Sequence, residues 1–301
     1  MNEPLPTAHF HLPGLFEFYD FYKIFLPLFY EHREFFYDRC EIASLYGAPE
    51  GCLWSGGRFG GGEKKAENVL SLMREYGISA RLTFSNSLLR QEHLADEKCN
   101  ALCTAFEKCG EDNGVIVHSE LLTAYLRERF PGLYLVSSTT KTLTDFFDFA
   151  AEVQREEFRF VVPDFRLNKK LDLLNTLSAG EKAKVEFLCN ECCFTGCRNR
   201  KACYESVSRR VLGEESEEFV CRSPGAGKGY LFSEAMKNPA FIGVKDIFDT
   251  YLPAGFNNFK IEGRNLGSAL LLEFLLYNIT KPEYQLKVRE ETSLNSMLDL
   301  F

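Results

Sequence analysis

The sequence predicts an α/β protein built as a single (β/α)8 TIM-like barrel that occupies residues 1–301. Three observations carry this expectation. Short β-branched or aromatic runs alternate with longer helical patterns about eight times along the chain. No linker rich in Pro, Gly or Ser divides it. The length of 301 residues suits one large barrel, and 45% hydrophobic residues with 28 Phe supply ample material for its core. A doubly wound sheet is the runner-up.

Phe10-His11-Leu12 makes a first strand, followed by an aromatic helix from about Phe16 to Phe36 whose Phe and Tyr pack against the barrel or cover a partner surface. Glu41 to Leu45 form the second strand. Arg81 to Phe84, Gly114 to Val117, Tyr134 to Ser137 and Phe158 to Val162 follow, each a β-branched or aromatic run. Lys184 to Leu188 precedes a cysteine-rich segment, 189–221. Phe241 to Val244 and Asn258 to Ile261 complete the series, the last leading into an apolar helix from Leu266 to Tyr277.

In such a barrel, function gathers just after the strands. The residues there are polar: Tyr46, Trp54 and Arg58, then Asn86, His118 and Ser119, Ser138 to Lys141, Asp164 and Arg166, Asn190 and Glu191, Lys245 and Asp246, and finally Glu262 with Arg264. Any one of them could be a helix cap or loop anchor. Their convergence on one rim is what points to a site. The glycine-rich run Gly56 to Gly62 lacks the Lys-Ser/Thr of a phosphate-binding loop and reads as a rim loop.

Between Cys189 and Cys203 stand five of the eleven cysteines. The amino terminus lacks the basic and apolar regions of a secretory signal, and no stretch is long enough to cross a bilayer, so a cytoplasmic protein is expected. Thiols stay reduced there, which favours metal ligation and packing over disulfides. Zinc sites commonly use two closely spaced cysteine pairs, but Cys189 and Cys192 have no second pair of that spacing. Iron-sulfur clusters take four thiolates, often with one from a distant segment, which fits better. Cys40 and Cys52 flank the second strand and could supply a remote ligand. Cys99, Cys103 and Cys109 lie at helical spacing and read as packing residues. A net charge of −8 argues against a mainly electrostatic grip on nucleic acid or anionic membrane, although a local basic groove for nucleic acid could coexist with it.

Phe259-Lys260-Ile261-Glu262-Gly263-Arg264 resembles the Leu-Lys-Ile-Glu-Gly-Arg signature of the collagenase-like peptidase superfamily, barrel proteins that include oxygen-independent ubiquinone, tRNA and rRNA hydroxylation proteins. Tyr46 to Arg58 and Asn190 to Tyr204 resemble segments of an uncharacterised bacterial branch of it. The resemblance implies a 4Fe-4S cluster held by the cysteine-rich segment. Cys203 stands where that branch has His, as a metal ligand position would allow. The expected ligands are Cys193, Cys197, Cys203 and Cys40, with Cys189 and Cys221 in reserve and zinc as the alternative metal.

Two enzyme classes follow. In a redox reading, Arg58, Lys141, Arg166 and Arg264, with Asn86 beside them, hold an anionic small molecule or a nucleoside-containing substrate, because guanidinium groups suit carboxylate and phosphate. Glu262 or Glu191 then acts as acid or base. In a peptidase reading, His118 pairs with a rim cysteine, but no Gly-x-Ser-x-Gly elbow or His-Glu-x-x-His helix occurs. A third reading makes the metal a structural clip in a scaffold that binds a protein or RNA partner.

Overall fold

The computed structural model describes residues 6–57, 62, 64–110, 112–215, 219–224, 226 and 230–298. Its eight parallel strands are β1 Ala8–Pro13, β2 Cys40–Gly47, β3 Ser79–Phe84, β4 Gly114–Val117, β5 Tyr134–Ser137, β6 Phe158–Val161, β7 Glu186–Leu188 and β8 Asn258–Lys260. They lie side by side in the order 6-5-4-3-2-1-8-7, and a parallel bridge between Val161 and Val185 joins the two ends. The result is a nearly closed α/β barrel of the TIM type. The strand order runs round the ring without the reversal that defines a doubly wound sheet.

Phe241 to Val244, expected as a strand, is not one. β7 and β8 pair directly, Glu186 with Asn258 and Leu188 with Lys260, so the wall has no gap for it. Ile242 N donates to Cys189 O at 2.9 Å, and the chain then turns into a short helix, Val244–Asp246.

Five helices alternate with the first six strands: α1 Tyr19–Glu31, α2 Ala66–Tyr76, α3 Glu97–Lys108, α4 Glu120–Arg129 and α5 Phe146–Gln154. Their starts are local. Asp96, Ser119 and Asp145 each accept a backbone N–H of the first turn, which satisfies donors that the helix leaves open. Short helices α6 Leu171–Leu174 and α7 Ala179–Lys184 precede β7, and α8 Arg200–Val211 lies within the long connection from β7 to β8. Among the described residues no helix is long and apolar enough to cross a membrane.

The main core lies between strands and helices. The aromatic residues of α1 belong to it, since Tyr22, Phe25 and Phe29 are fully buried and Phe29 meets Phe36 at 4.8 Å between ring centres. Inside the barrel is a second, smaller apolar cluster of Tyr46, Ile116, Val136, Val162 and Leu188. With it stands a charged group that is unusual for a barrel interior. Glu186 accepts from Arg81 Nη1 at 2.5 Å and from Lys260 Nζ at 2.9 Å, and His11 Nε2 lies 3.6 Å from it. His11 Nδ1 in turn meets Ser44 Oγ at 2.8 Å. Burial alone would raise the Glu186 carboxyl, but Arg81 and Lys260 outweigh it and hold the carboxyl well below its usual range.

Candidate functional site

Two cavities adjoin at the C-terminal ends of the strands. The first lies among the cysteines. Cys192, Cys193, Cys203 and Cys221 line one cavity of about 390 Å³, together with Glu191, Phe194 and Tyr230. Its floor is built by the backbone after β7. The Asn190 side chain extends the sheet ladder by one step, donating to Glu262 O at 2.8 Å and accepting from Glu262 N at 2.7 Å. Glu191 Oε1 accepts from Cys193 N at 2.9 Å, and Asn238 Nδ2 donates to the carbonyls of both Glu191 and Cys193 at 3.0 Å. The loop that presents Cys192 and Cys193 is thereby fixed before any metal is considered.

Cys203 comes from α8, which crosses the barrel mouth. At one end Arg200 Nη1 donates to Asp164 Oδ2 at 2.8 Å, and its other nitrogens bond Glu191 and Tyr204. At the other end Ser208 accepts from the Asn86 side chain and from Ser87 N. Arg200 and Asp164 are fully buried, and burial opposes the Arg200 charge; Glu191, Tyr204, Asp164 and Cys193 more than restore it.

The remaining expected ligands fall elsewhere. Cys197 is half-buried in a turn in which its N–H donates to Phe194 O at 2.9 Å, and it does not line the cavity. Cys189 is fully buried, and burial pushes its thiol up. Cys40 begins β2, at the opposite end of the barrel from the mouth, with its thiol pushed up to about 12 by burial. The structure does not bring it to the other cysteines. Cys99 and Cys103 face the core from α3.

The second cavity is the barrel mouth itself, small at about 40 Å³ because Tyr204 of α8 closes over it. Its lining includes Tyr46, Thr83, Thr140, Lys260, Glu262 and Arg264. The Lys260 ammonium rests 3.7 Å from the centre of the Tyr46 ring, with the Arg264 guanidinium 5.7 Å from the same centre. Burial lowers Lys260 to about 8, with Glu186 opposing the fall and Arg81 and Arg264 reinforcing it. The cavities meet where Cys192 Sγ and carboxylate oxygens of Glu191 and Glu262 lie within 4.8 Å of one another.

Of the expected rim residues, Arg264 and Glu262 line the mouth and Glu191 lines the cysteine cavity. Arg58 lies outside the described residues. Asn86 is fully buried and occupied in holding the rim, with bonds to Leu53 O, Ser208 O and Leu88 N. Lys141 is held between α4 and α5, 2.7 Å from Glu120 and 2.6 Å from Glu152. Arg166 is half-exposed and doubly bonded to Asp164. His118 stands behind Thr140, 2.9 Å from its hydroxyl, and burial, with Lys141 and Lys201 nearby, lowers it to about 4. No histidine lines the cysteine cavity.

Lys260, Arg200 and Tyr204 were not among the residues expected at the site. A signal existed for the first: residues 260, 262 and 264 alternate, as side chains on one face of an extended segment do.

No family model matches the chain, and neither does any curated protein. Among solved structures it is similar to the U32 peptidase Mk0906, with 12% sequence identity, 87% of this chain and 94% of that chain covered, and a TM-score of 0.48.

Proposed function

We propose that this protein holds a metal-thiolate centre, in the first place a 4Fe-4S cluster, beside a barrel mouth that binds a small anionic molecule for redox chemistry of the oxygen-independent hydroxylation type. The observation that carries the reading is the lining of one cavity by Cys192, Cys193, Cys203 and Cys221. Four sulfur donors match the ligand number of both an iron-sulfur cluster and a structural zinc ion. Arg200, bonded to both Asp164 and Glu191, ties the helix of Cys203 to the loop of Cys192 and Cys193.

A bound cluster supplies single electrons. The chain's own part is to bind and orient. Arg264 offers a guanidinium to an anion at the mouth, and Glu262 stands in the same cavity as acid or base. Glu191 fixes the cysteine loop through the Cys193 amide and takes the Arg200 charge, which makes it a positioning residue.

The test is anaerobic purification followed by an absorbance spectrum and iron, sulfide and zinc analysis. Iron with acid-labile sulfide supports the reading. A colourless protein with stoichiometric zinc, or metal-dependent cleavage of an unstructured peptide, turns it toward hydrolysis or a structural clip. A protein with neither metal overturns it.

A further inference from the structure

Arg81 and Lys260 share Glu186 inside the barrel, and Arg264 stands beside Lys260 at the mouth, with Glu262 and Glu17 near it. His11 adds no charge, because burial, with Arg81 beside it, keeps the imidazole neutral. Lys260 is thus a buried amine held by one carboxylate with two guanidinium groups for neighbours. Of the three cations it alone can give up a proton, since a guanidinium stays protonated.

Lys260 is also placed to react. Its amine lines the mouth cavity while Glu186 Oε1 fixes it at 2.9 Å and the face of Tyr46 supports it at 3.7 Å. A desolvated lysine next to other cations is the usual form of an imine-forming nucleophile. Hydroxyls of Thr83, Ser138, Thr139 and Thr140 line the same small space. They are suited to exchange protons with a carbonyl oxygen.

We propose that Lys260 captures a small 2-oxo acid as an imine, with the substrate carboxylate on Arg264. The neutral Lys260 amine attacks the carbonyl carbon, forming a C–N bond as the C=O π bond opens, and one nitrogen proton passes to that oxygen to give a carbinolamine. The second nitrogen proton passes to the hydroxyl, the C–O bond breaks, and water leaves as C=N forms. No electron is gained or lost. The cavity of about 40 Å³ restricts the substrate to the smallest members of the class. This proposal rests on the mouth being an anion site, and it does not require the cluster.

The experiment treats the purified protein with glyoxylate or pyruvate and cyanoborohydride, which reduces an imine to a stable secondary amine, and then maps the adduct by peptide mass spectrometry. The expected result is one adduct per chain on Lys260, suppressed by lactate, which carries the carboxylate but no carbonyl. Lys260→Arg keeps a cation against Glu186 and loses the adduct. Arg264→Gln slows trapping of glyoxylate about tenfold more than it slows trapping of neutral propanal, the worth of one charged hydrogen bond. Adducts scattered over exposed lysines in the wild-type protein overturn the proposal without reference to any variant. If calorimetry shows lactate bound through Arg264 but nothing is trapped on Lys260, the imine fails and the anion site stands. If lactate does not bind either, both fail. Metal content measured on the same samples reports on the cluster separately.

Discussion

Arg200 Nη1 donates to Asp164 Oδ2 at 2.8 Å, and this fully buried pair fastens the helix that crosses the barrel mouth to the end of β6. Because Arg200 also bonds Glu191, one guanidinium secures both the helix that carries Cys203 and the loop that carries Cys192 and Cys193.

Arg200→Met leaves two buried carboxylates without their common partner, and removal of one member of such a group costs about 3 kcal/mol or more. The urea midpoint falls, and metal retention falls with it. A variant of unchanged stability and metal content counts against this role for Arg200.

Cys193→Ser, Cys203→Ser and Cys221→Ser each lower the metal retained through anaerobic purification, whereas Cys40→Ser and Cys103→Ser retain the wild-type amount. Loss of a bonded thiolate removes a ligand, while loss of a packed thiol alters only local packing. Iron, sulfide and zinc analysis of the five proteins decides the matter. The same content in all five removes the cysteine cavity from consideration.

Glu186→Gln leaves Arg81 and Lys260 facing each other inside the barrel and destabilises the fold by about 3 kcal/mol or more. Adding Lys260→Met recovers part of the loss, because it removes one of the two stranded charges. A double-mutant cycle by urea denaturation measures the coupling. Strict additivity contradicts the shared-carboxylate arrangement.

His118 is lowered from its ordinary value to about 4, so the folded protein binds fewer protons there than the unfolded chain between pH 6.5 and about 4. Its contribution to stability is complete above pH 6.5 and is lost as pH falls through that window. His118→Gln removes this dependence, so the gap between wild type and variant narrows on acidification. Urea midpoints for both proteins at pH 7.5 and pH 4.5 give the comparison, and a constant gap refutes it.

The barrel was legible in the sequence because alternating strand and helix patterns leave few other arrangements, and β3 to β5 lie where their β-branched runs predict. Phe241 to Val244 misled because a short apolar run satisfies a strand pattern equally well when it packs as a loop end beside Cys189. The cysteine segment was legible as a group but not by member. The resemblance implied Cys193, Cys197, Cys203 and Cys40, and the turn at Phe194 to Cys197 leaves Cys197 outside the cavity that Cys192 lines. Cys221 enters from beyond α8, a fold-level fact with no local trace. Lys141 and Arg166 looked available because their partners, Glu152 and Asp164, meet them through helix packing and a tight turn that no motif records.

The barrel wall resembles a cask with one loosely fitted stave. β7 is three residues long and pairs with β8 over its whole length, whereas among the described residues the link to β6 is the single Val161–Val185 bridge just before it. The seam between β6 and β7 is therefore where the ring parts most readily, and the loose stave is the one that leads directly into the cysteine segment. The cysteine segment spans that seam, clasped to the β8 side by Asn190 and Glu262 and to the β6 side by Arg200 and Asp164, so a disturbance among the cysteines reaches both edges of the seam.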